Sequence, residues 1–315
     1  MGIGNTRDSK GCPYTFYPHM ERAALEPASK IKWGVERRLE FIEFRLFWEG
    51  GVRRSDIMTT FGVSEPQASK DLTLYQDRAP GNAVYDKTSK RYVAGPQFSS
   101  VFLTEGPSEY LVRLRSFGEG LMEPAETWLG SPPEIDIVLN PARDVDAGCL
   151  QSVLKAVREK RSLDVRYQSM SMPDPGWRRI TPHAFGFDGF RWHVRAYCHQ
   201  SDRFRDFLIP RITGARDFDK PGLDGDRDNM WNDRFVVLIG PHPGLSQNQR
   251  TGVEKDYGMV AGRKALEIRH AMLFYALKRL GLLDNPETKP ARTQHIIAIN
   301  AAETAEAMRK ADWSL

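Results

Sequence analysis

Between residues 166 and 212 the chain concentrates side chains that could hold an anion. Arg166-Tyr167-Gln168-Ser169 is followed by Arg178-Arg179-Ile180-Thr181-Pro182-His183, by Arg191-Trp192-His193-Val194-Arg195-Ala196-Tyr197-Cys198, and by Arg203-Phe204-Arg205-Asp206-Phe207-Leu208-Ile209-Pro210-Arg211-Ile212. Guanidinium forks make bidentate, charge-assisted hydrogen bonds to phosphate and carboxylate, and hydroxyl and imidazole groups add directional contacts. The candidate ligand-binding set is Tyr167, Ser169, Arg179, His183, Trp192, Arg203, Arg205 and Arg211, with Trp192 and Tyr197 offering rings on which a base could stack. Aromatics at alternating spacing more often form a core than a platform, so the arginines and His183 carry more of the argument. Charge points the same way: residues 149 to 216 hold 13 Lys/Arg against 6 Asp/Glu, whereas residues 117 to 148 hold 1 against 7. An anion is the natural partner of that central region, with a solvated basic face as the plain alternative.

These side chains need a β-rich scaffold. Asp146 to Arg161 reads as an amphipathic helix, and Leu163 to Ser169 opens a series of short strands, a pattern that suits an Sm or SH3-like β-barrel. Glu134 to Asn140 alternates like a further strand. Asp217 to Asp228, aspartate-rich with Pro221, reads as a solvated connection. Its Asp224, Asp226 and Asp228 lack the later bidentate Glu of a calcium loop. Beyond it, strands at Arg234 to Ile239, Ala265 to Arg269 and His295 to Ile299 alternate with helices at Gln247 to Tyr257, Ala271 to Leu283 and the C-terminus, giving a small α+β unit.

Upstream lies a different chemistry. Apolar positions from Lys32 to Trp48 recur at helical spacing and stop at Gly50-Gly51. Ser55 can cap a short helix through Phe61, Gly62 can supply a left-handed turn, and Ser64 can cap a second helix from Glu65 to about Gln76. Ile57, Phe61, Val63, Ala68, Leu72 and Tyr75 fall where such helices must pack. The outward positions Glu65, Gln67, Ser69, Lys70 and Thr73 are types that contact base edges and phosphates. Ala83 to Asp86, the turn Lys87-Thr88-Ser89, and Lys90 to Val93 complete a basic hairpin, so the segment reads as a winged helix-turn-helix. The expected DNA contacts are Arg53, Arg54, Ser64, Glu65, Gln67, Ser69, Lys70, Thr73, Lys87, Ser89, Lys90 and Arg91. Residues 107 to 129 look helical and would bridge this part to the rest.

Other classes are disfavoured. No run approaches the roughly 20 apolar residues that span a bilayer, and the N-terminus lacks a signal pattern, so a cytoplasmic, nucleoid-associated protein is expected. Cys12, Cys149 and Cys198 are widely spaced, which argues against a disulfide framework and a structural zinc site. There is no GxSxG elbow, Walker loop or metal-ligand cluster, so no catalytic residue, metal or cofactor is expected.

The order of these elements resembles the WYL-domain transcription regulators, and the tail segment Phe235 to Ser246, with Gln249 and Asp256-Tyr257-Gly258-Met259, is most similar to the subgroup associated with BREX and CBASS phage-defence islands. The eponymous Trp-Tyr-Leu reads Trp192-His193-Val194. The resemblance implies an α+β multidomain chain: an arm (1 to 31), a winged helix-turn-helix (32 to 98), a helical linker (99 to 147), a WYL ligand-sensing barrel (148 to 216), a linker (217 to 230) and a C-terminal α+β dimerisation domain (231 to 315). It implies a homodimeric repressor of a phage-defence operon, bound to an inverted repeat and released by a nucleotide or nucleic-acid ligand in the WYL pocket. An activator or a nucleic-acid-sensing accessory subunit would share every motif, and a hydrolase would need residues not seen here.

Overall fold

The computed structural model describes residues 32–103, 106–138, 141, 143–216 and 221–310. The arm expected at 1 to 31 and Cys12 lie outside the described residues, as do positions 139, 140 and 217–220 of the expected strand and connection. The chain forms two compact units, Met1–Leu139 and Asn140–Leu315.

The first unit is built around helix α1 (Trp33–Trp48). Leu39, Phe41, Ile42, Phe44 and Leu46 are all buried there, because neighbours cover more than one side of the helix. Helices α2 (Arg54–Phe61) and α3 (Glu65–Arg78) follow, joined by Gly62 at φ 64°, the left-handed conformation glycine adopts without a Cβ penalty. Ala68, fully buried, lets α3 lie close against its neighbours. α2 begins two residues earlier than a Ser55 cap would allow. Arg53 holds the cap position, its N–H donating to Asp56 Oδ2 at 2.8 Å, and Ser55 sits inside the first turn.

Strands β1 (Ala83–Asp86) and β2 (Arg91–Ala94) form the wing. Asp86 accepts from the Thr88 and Ser89 N–H groups and the Ser89 hydroxyl at 2.9, 3.2 and 2.5 Å, which closes the tip as an Asx-type turn. Lys90 takes φ 51° as the chain re-enters β2. The region expected as one bridging helix is two, α4 (Pro107–Gly118) and α5 (Pro124–Thr127), parted where Gly120 turns at φ 67°. The strand expected at 134 to 140 pairs with no other strand among the described residues. Ile135 and Ile137 instead press on Gly118, where a Cβ would come within 2.7 and 2.8 Å of them, so the alternation reflects packing on a helix.

The second unit begins with α6 (Ala147–Glu159), capped by Asp146, which accepts from Cys149 N at 2.7 Å. Its Cys149, Val153 and Ala156 pack on a five-stranded antiparallel sheet of β3 (Leu163–Tyr167), β4 (Gly176–Phe187), β5 (Trp192–Cys198), β6 (Arg203–Leu208) and β7 (Ile212–Arg216), in the order β6-β5-β4-β3-β7. The sheet curls but does not close into the expected barrel. Its two edges, β6 and β7, are joined by one 3-10 turn, Ile209–Arg211, in which Pro210 offers no N–H. The last N–H of β6, that of Leu208, goes to the Tyr167 hydroxyl instead of to a strand, at 3.2 Å.

A short helix, α7 (Asn229–Asn232), leads into a three-stranded sheet ordered β10-β8-β9, made by β8 (Arg234–Pro241), β9 (Lys264–Arg269) and β10 (Ile296–Ala298). Helices α8 (Gln247–Asp256), α9 (Leu273–Leu280) and α10 (Ala301–Lys310) supply Val253, Leu273, Leu277, Ala307 and Met308 to a core on Val237, Ile239, Ile296 and Ala298. No helix of the described residues is long and apolar enough to cross a membrane.

Candidate nucleic-acid interface and sensor face

In the first unit, the loop before α2 is sewn to the wing. Val52 and Tyr92 exchange backbone hydrogen bonds of 2.8 and 2.9 Å, making a third, one-residue strand. Gly51 is required there: at φ 144°, a Cβ would lie 2.5 Å from the Tyr92 carbonyl oxygen. This stitch brings Arg53, Arg54 and Ser55 of the α2 N-terminus beside Lys90, Arg91, Tyr85 and Tyr92 of the wing, and together they line one groove. Four cations and the positive end of a helix dipole face the same space, an arrangement suited to a backbone phosphate.

The other expected contacts divide. Lys70 and Lys87 are exposed, as are Ser64, Glu65 and Thr73, and Ser69 is half-buried. Glu65 is engaged by Arg54 at 3.0 Å across the helix-turn-helix turn, so that arginine is shared between protein and any phosphate. Gln67 donates to Asp71 at 3.0 Å, and the Thr73 hydroxyl donates back to the Ser69 carbonyl at 3.1 Å. The Ser89 hydroxyl faces Asp86, as described above.

Sequence reasoning missed the carboxylates that hold this surface in place. Glu43, fully buried on α1, accepts the consecutive N–H groups of Val101, Phe102 and Leu103 at 2.8, 3.0 and 2.8 Å and the Tyr75 hydroxyl at 2.9 Å. Burial foremost, and then the Glu43 charge, drive the Tyr75 phenol well above its ordinary range. Asp71, also buried, takes Arg38 through contacts of 2.6 and 3.2 Å, which ties α3 to α1. A charged residue in an apolar helical stripe was the available signal.

In the second unit, the expected ligand-binding residues fall on both faces of the five-stranded sheet. Arg203 and Arg205 pair with Cys198 and Ala196, whose side chains face the α6 core, and they are exposed where the edge strand β6 runs beyond that core. Tyr167 is on the same face, buried against Phe207 with ring centroids 5.0 Å apart. Arg178, absent from the expected set, lies 6.0 Å from the Tyr167 ring. The Arg211 carbonyl accepts from Gln168 N at 3.1 Å, which brings the 3-10 turn beside the end of β3, and Ser169 bonds Ser171 at 2.8 Å just beyond. Trp192 is exposed at the β4–β5 hairpin end, its ring 4.9 Å from Phe187.

Arg179 and His183 are elsewhere. Arg179 is bound to Asp164 at 2.7 Å across the strand pair. His183 is the extra residue of a β-bulge, because Pro182 pairs with Ala196 and Ala184 with Arg195. The bulge re-aims its ring toward Asp228, with Nε2 3.0 Å from Oδ2. Asp228 also accepts Arg195 through Nε at 2.7 Å and Nη2 at 3.0 Å, and Arg195 Nη1 reaches Asp206 at 3.3 Å. Tyr275 of α9 donates to Asp206 at 3.2 Å and lies 4.6 Å, ring to ring, from His193, which in turn bonds Asp188 at 2.9 Å. The described part of the connection expected to be solvated, from residue 221 on, is instead tied to the end of α6 and to the sheet: Gly222 N bonds the Lys160 carbonyl at 3.0 Å, Leu223 N bonds the Thr181 hydroxyl at 3.3 Å, and Asp228 is buried.

The electrostatics follow from this network. Burial alone would raise the Asp228 carboxyl, but hydrogen bonds from His183 and Arg195 overcome it and hold the group down to about 2. For Asp188 burial is likewise overcome, by His193 and Arg191, again to about 2. Asp206 moves the other way, because its burial outweighs the charges of Arg195 and His193 and the hydrogen bonds from Arg195 and Tyr275.

Three family models match the chain. Residues 34–116 match the BrxR transcriptional regulator winged helix-turn-helix domain, residues 148–217 the WYL domain, and residues 234–304 the BrxR transcriptional regulator C-terminal dimerization domain. A protein of Stenotrophomonas maltophilia described as the DNA-binding transcriptional repressor CapW is 42% identical over 284 residues, covering 90% of this chain and 95% of that protein. The chain belongs to the CapW family. CapW of Pseudomonas aeruginosa is 39% identical over 82% of this chain and 87% of its own length, and CapW of Escherichia coli strain KTE188 is 39% identical over 80% and 85%. These CapW proteins are described as DNA-binding transcriptional repressors, a class that is not enzymatic. Among the described residues no cluster of three or more His, Cys, Asp or Glu could hold a metal: Asp224 instead caps the turn at Asp226 N, and Asp228 faces Arg195.

Proposed function

We propose that this chain is a homodimeric, DNA-binding transcriptional repressor that acts on the nucleoid in the cytoplasm. In this reading α3 enters the major groove of each half of an inverted repeat, with Gln67, Ser69, Lys70 and Thr73 toward the bases. Arg53, Arg54, Lys87, Lys90 and Arg91 hold the flanking phosphates, and Ser64, Glu65 and Ser89 border them. The observation that carries it is the groove between the α2 N-terminus and the wing, where four cations line one space on a winged helix-turn-helix. Family membership supports the repressor sign, and the C-terminal match supports a dimer.

The WYL sheet is the sensor in this reading. An anionic ligand, a nucleotide or nucleic-acid fragment, engages Arg203, Arg205 and Arg211 with Tyr167, Ser169 and Trp192. Arg179 and His183 act from the opposite face by holding the sheet in register. A ligand releases DNA only if it binds the DNA-incompetent state more tightly. The regulated genes are those of a phage-defence operon.

The test is a salt-resolved mobility shift on the DNA upstream of the protein's own gene, with scrambled competitor and a panel of nucleotides. The reading expects a discrete, competitor-resistant dimer complex that one class of anion dissolves. Weak, sequence-blind binding that vanishes with modest salt would overturn it. A reporter transcribed from the same DNA gives the sign: more transcript on binding would make the protein an activator.

A further inference from the structure

The three-stranded sheet of the C-terminal region has one face covered and one bare. Phe235, Val237 and Ile239 of β8, Leu266 and Ile268 of β9, and Ile296 and Ala298 of β10 join the core under the helices. The alternate residues point the other way. By register Val236 lies opposite Glu267, Leu238 opposite Ala265, and Gly240 opposite Ile297. None of these belongs to the core, and Val236 and Ile299 remain 43% and 51% exposed.

The bare face is well ordered. Ile299 N bonds the Leu238 carbonyl at 2.7 Å, and the Asn300 side chain completes the β8 ladder by accepting from Leu238 N and donating to the Val236 carbonyl at 2.8 and 2.9 Å. Gly240 leaves room for Ile299, whose Cδ1 would be 2.8 Å from a Cβ there. Aliphatic side chains displayed on a rigid sheet cost little entropy to bury. At one end of the patch Arg234 and Glu267 lie 3.8 Å apart, so the face carries both signs of charge beside its apolar centre. That is what a twofold contact needs, because each copy must complement itself.

We propose that this face, centred on Val236, Leu238, Ile297 and Ile299, is the surface through which two copies of the chain associate, with Arg234 of each copy set against Glu267 of the other. This deepens the dimeric reading above and rests on it. The match to a dimerization domain covers residues 234–304 and so includes every residue of the patch, but it does not say which surface pairs.

The test is sedimentation equilibrium of the full chain beside V236E/I299E, with Y257E as a control after α8. The double variant should raise the monomer–dimer midpoint more than about a hundredfold, as expected for a carboxylate forced unpaired into an apolar contact, while Y257E should leave it unchanged. Both changes are at exposed positions, and an unaltered circular dichroism spectrum and thermal midpoint would show that the fold is kept. A wild-type midpoint for the folded double variant would overturn this face and leave the dimer standing. A wild-type chain that is monomeric throughout would overturn the dimer itself. If V236E/I299E failed the fold control, thiol labelling of V236C, read by peptide, would decide. Protection at high protein concentration that is lost on dilution supports the face, and full reactivity at every concentration overturns it.

Discussion

Lys90 and Arg53 reach the same groove from different elements, and each should add one phosphate's worth of attraction that carries no sequence information. Lys90→Ala is therefore expected to weaken binding to operator and scrambled DNA alike and to lower the slope of log affinity against log salt by about 1. Lys70→Ala, on the outward face of α3, should instead reduce discrimination between the two DNAs, and competition titrations separate these outcomes. Glu43 acts by a different route. Three backbone N–H groups converge on Oε1 while Tyr75 donates to Oε2, so a carboxamide would turn an acceptor into a donor against buried donors. Glu43→Gln should cost about 2 to 3 kcal/mol in urea unfolding without touching a DNA-facing side chain. An unchanged midpoint would show that those donors find other acceptors.

At the scale of elements, the Arg195 network joins β4, β5 and β6 to the turn before α7 and to α9, through His183, Asp228, Asp206 and Tyr275. Arg195→Met would leave two buried carboxylates without their cation and should cost about 3 to 5 kcal/mol. A loss below about 1 kcal/mol would mean water reaches the site. The same carboxylates set an acid limit. Asp188 and Asp228 titrate near 2 in the folded chain, below the roughly 3.9 of an unfolded aspartate, so their stabilisation is complete above pH about 4 and is lost as pH falls toward 2. Asp206, raised by burial, has the opposite sign and offsets part of that loss, because it takes its proton first in the folded state. Chemical-denaturation midpoints should stay level down to about pH 4 and then fall. A curve that is level through pH 2 would contradict the network.

For the molecule as a whole, the winged helix-turn-helix and the proposed sensor sheet belong to separate compact units, so the two proposed roles should be separable by mutation. Arg205 is exposed on the edge strand β6 and takes no part in the Arg195 network. Arg205→Ala should bind operator with wild-type affinity yet resist release by the anion, measured in one mobility-shift titration. An Arg205→Ala protein that is released normally would remove the edge of β6 from the sensor.

How much of this was legible beforehand differs from element to element. The helix-turn-helix was written locally: Gly62 for the left-handed turn, Ala68 for the close crossing, and apolar residues at helical spacing. The wing and the strands of the second unit were legible for the same reason, since alternation and turn chemistry act over a few residues. The cap of α2 is displaced from Ser55 because Asp56, in the first turn, accepts the Arg53 N–H and makes Arg53 the cap. The strand at Glu134 to Asn140 was misread because extended packing on Gly118 leaves the same alternation as a ladder. His183 and Asp228 were separated into sensor and solvated linker, and nothing local joins residues 45 positions apart. The sequence by itself determined most of the helices and strands and where positive charge accumulates, because propensity, periodicity and composition are local quantities. Only the tertiary structure decided which cations face a groove and which are spent on buried carboxylates, because that depends on a bulge at His183, an unclosed sheet and long-range pairings that no short window of residues encodes.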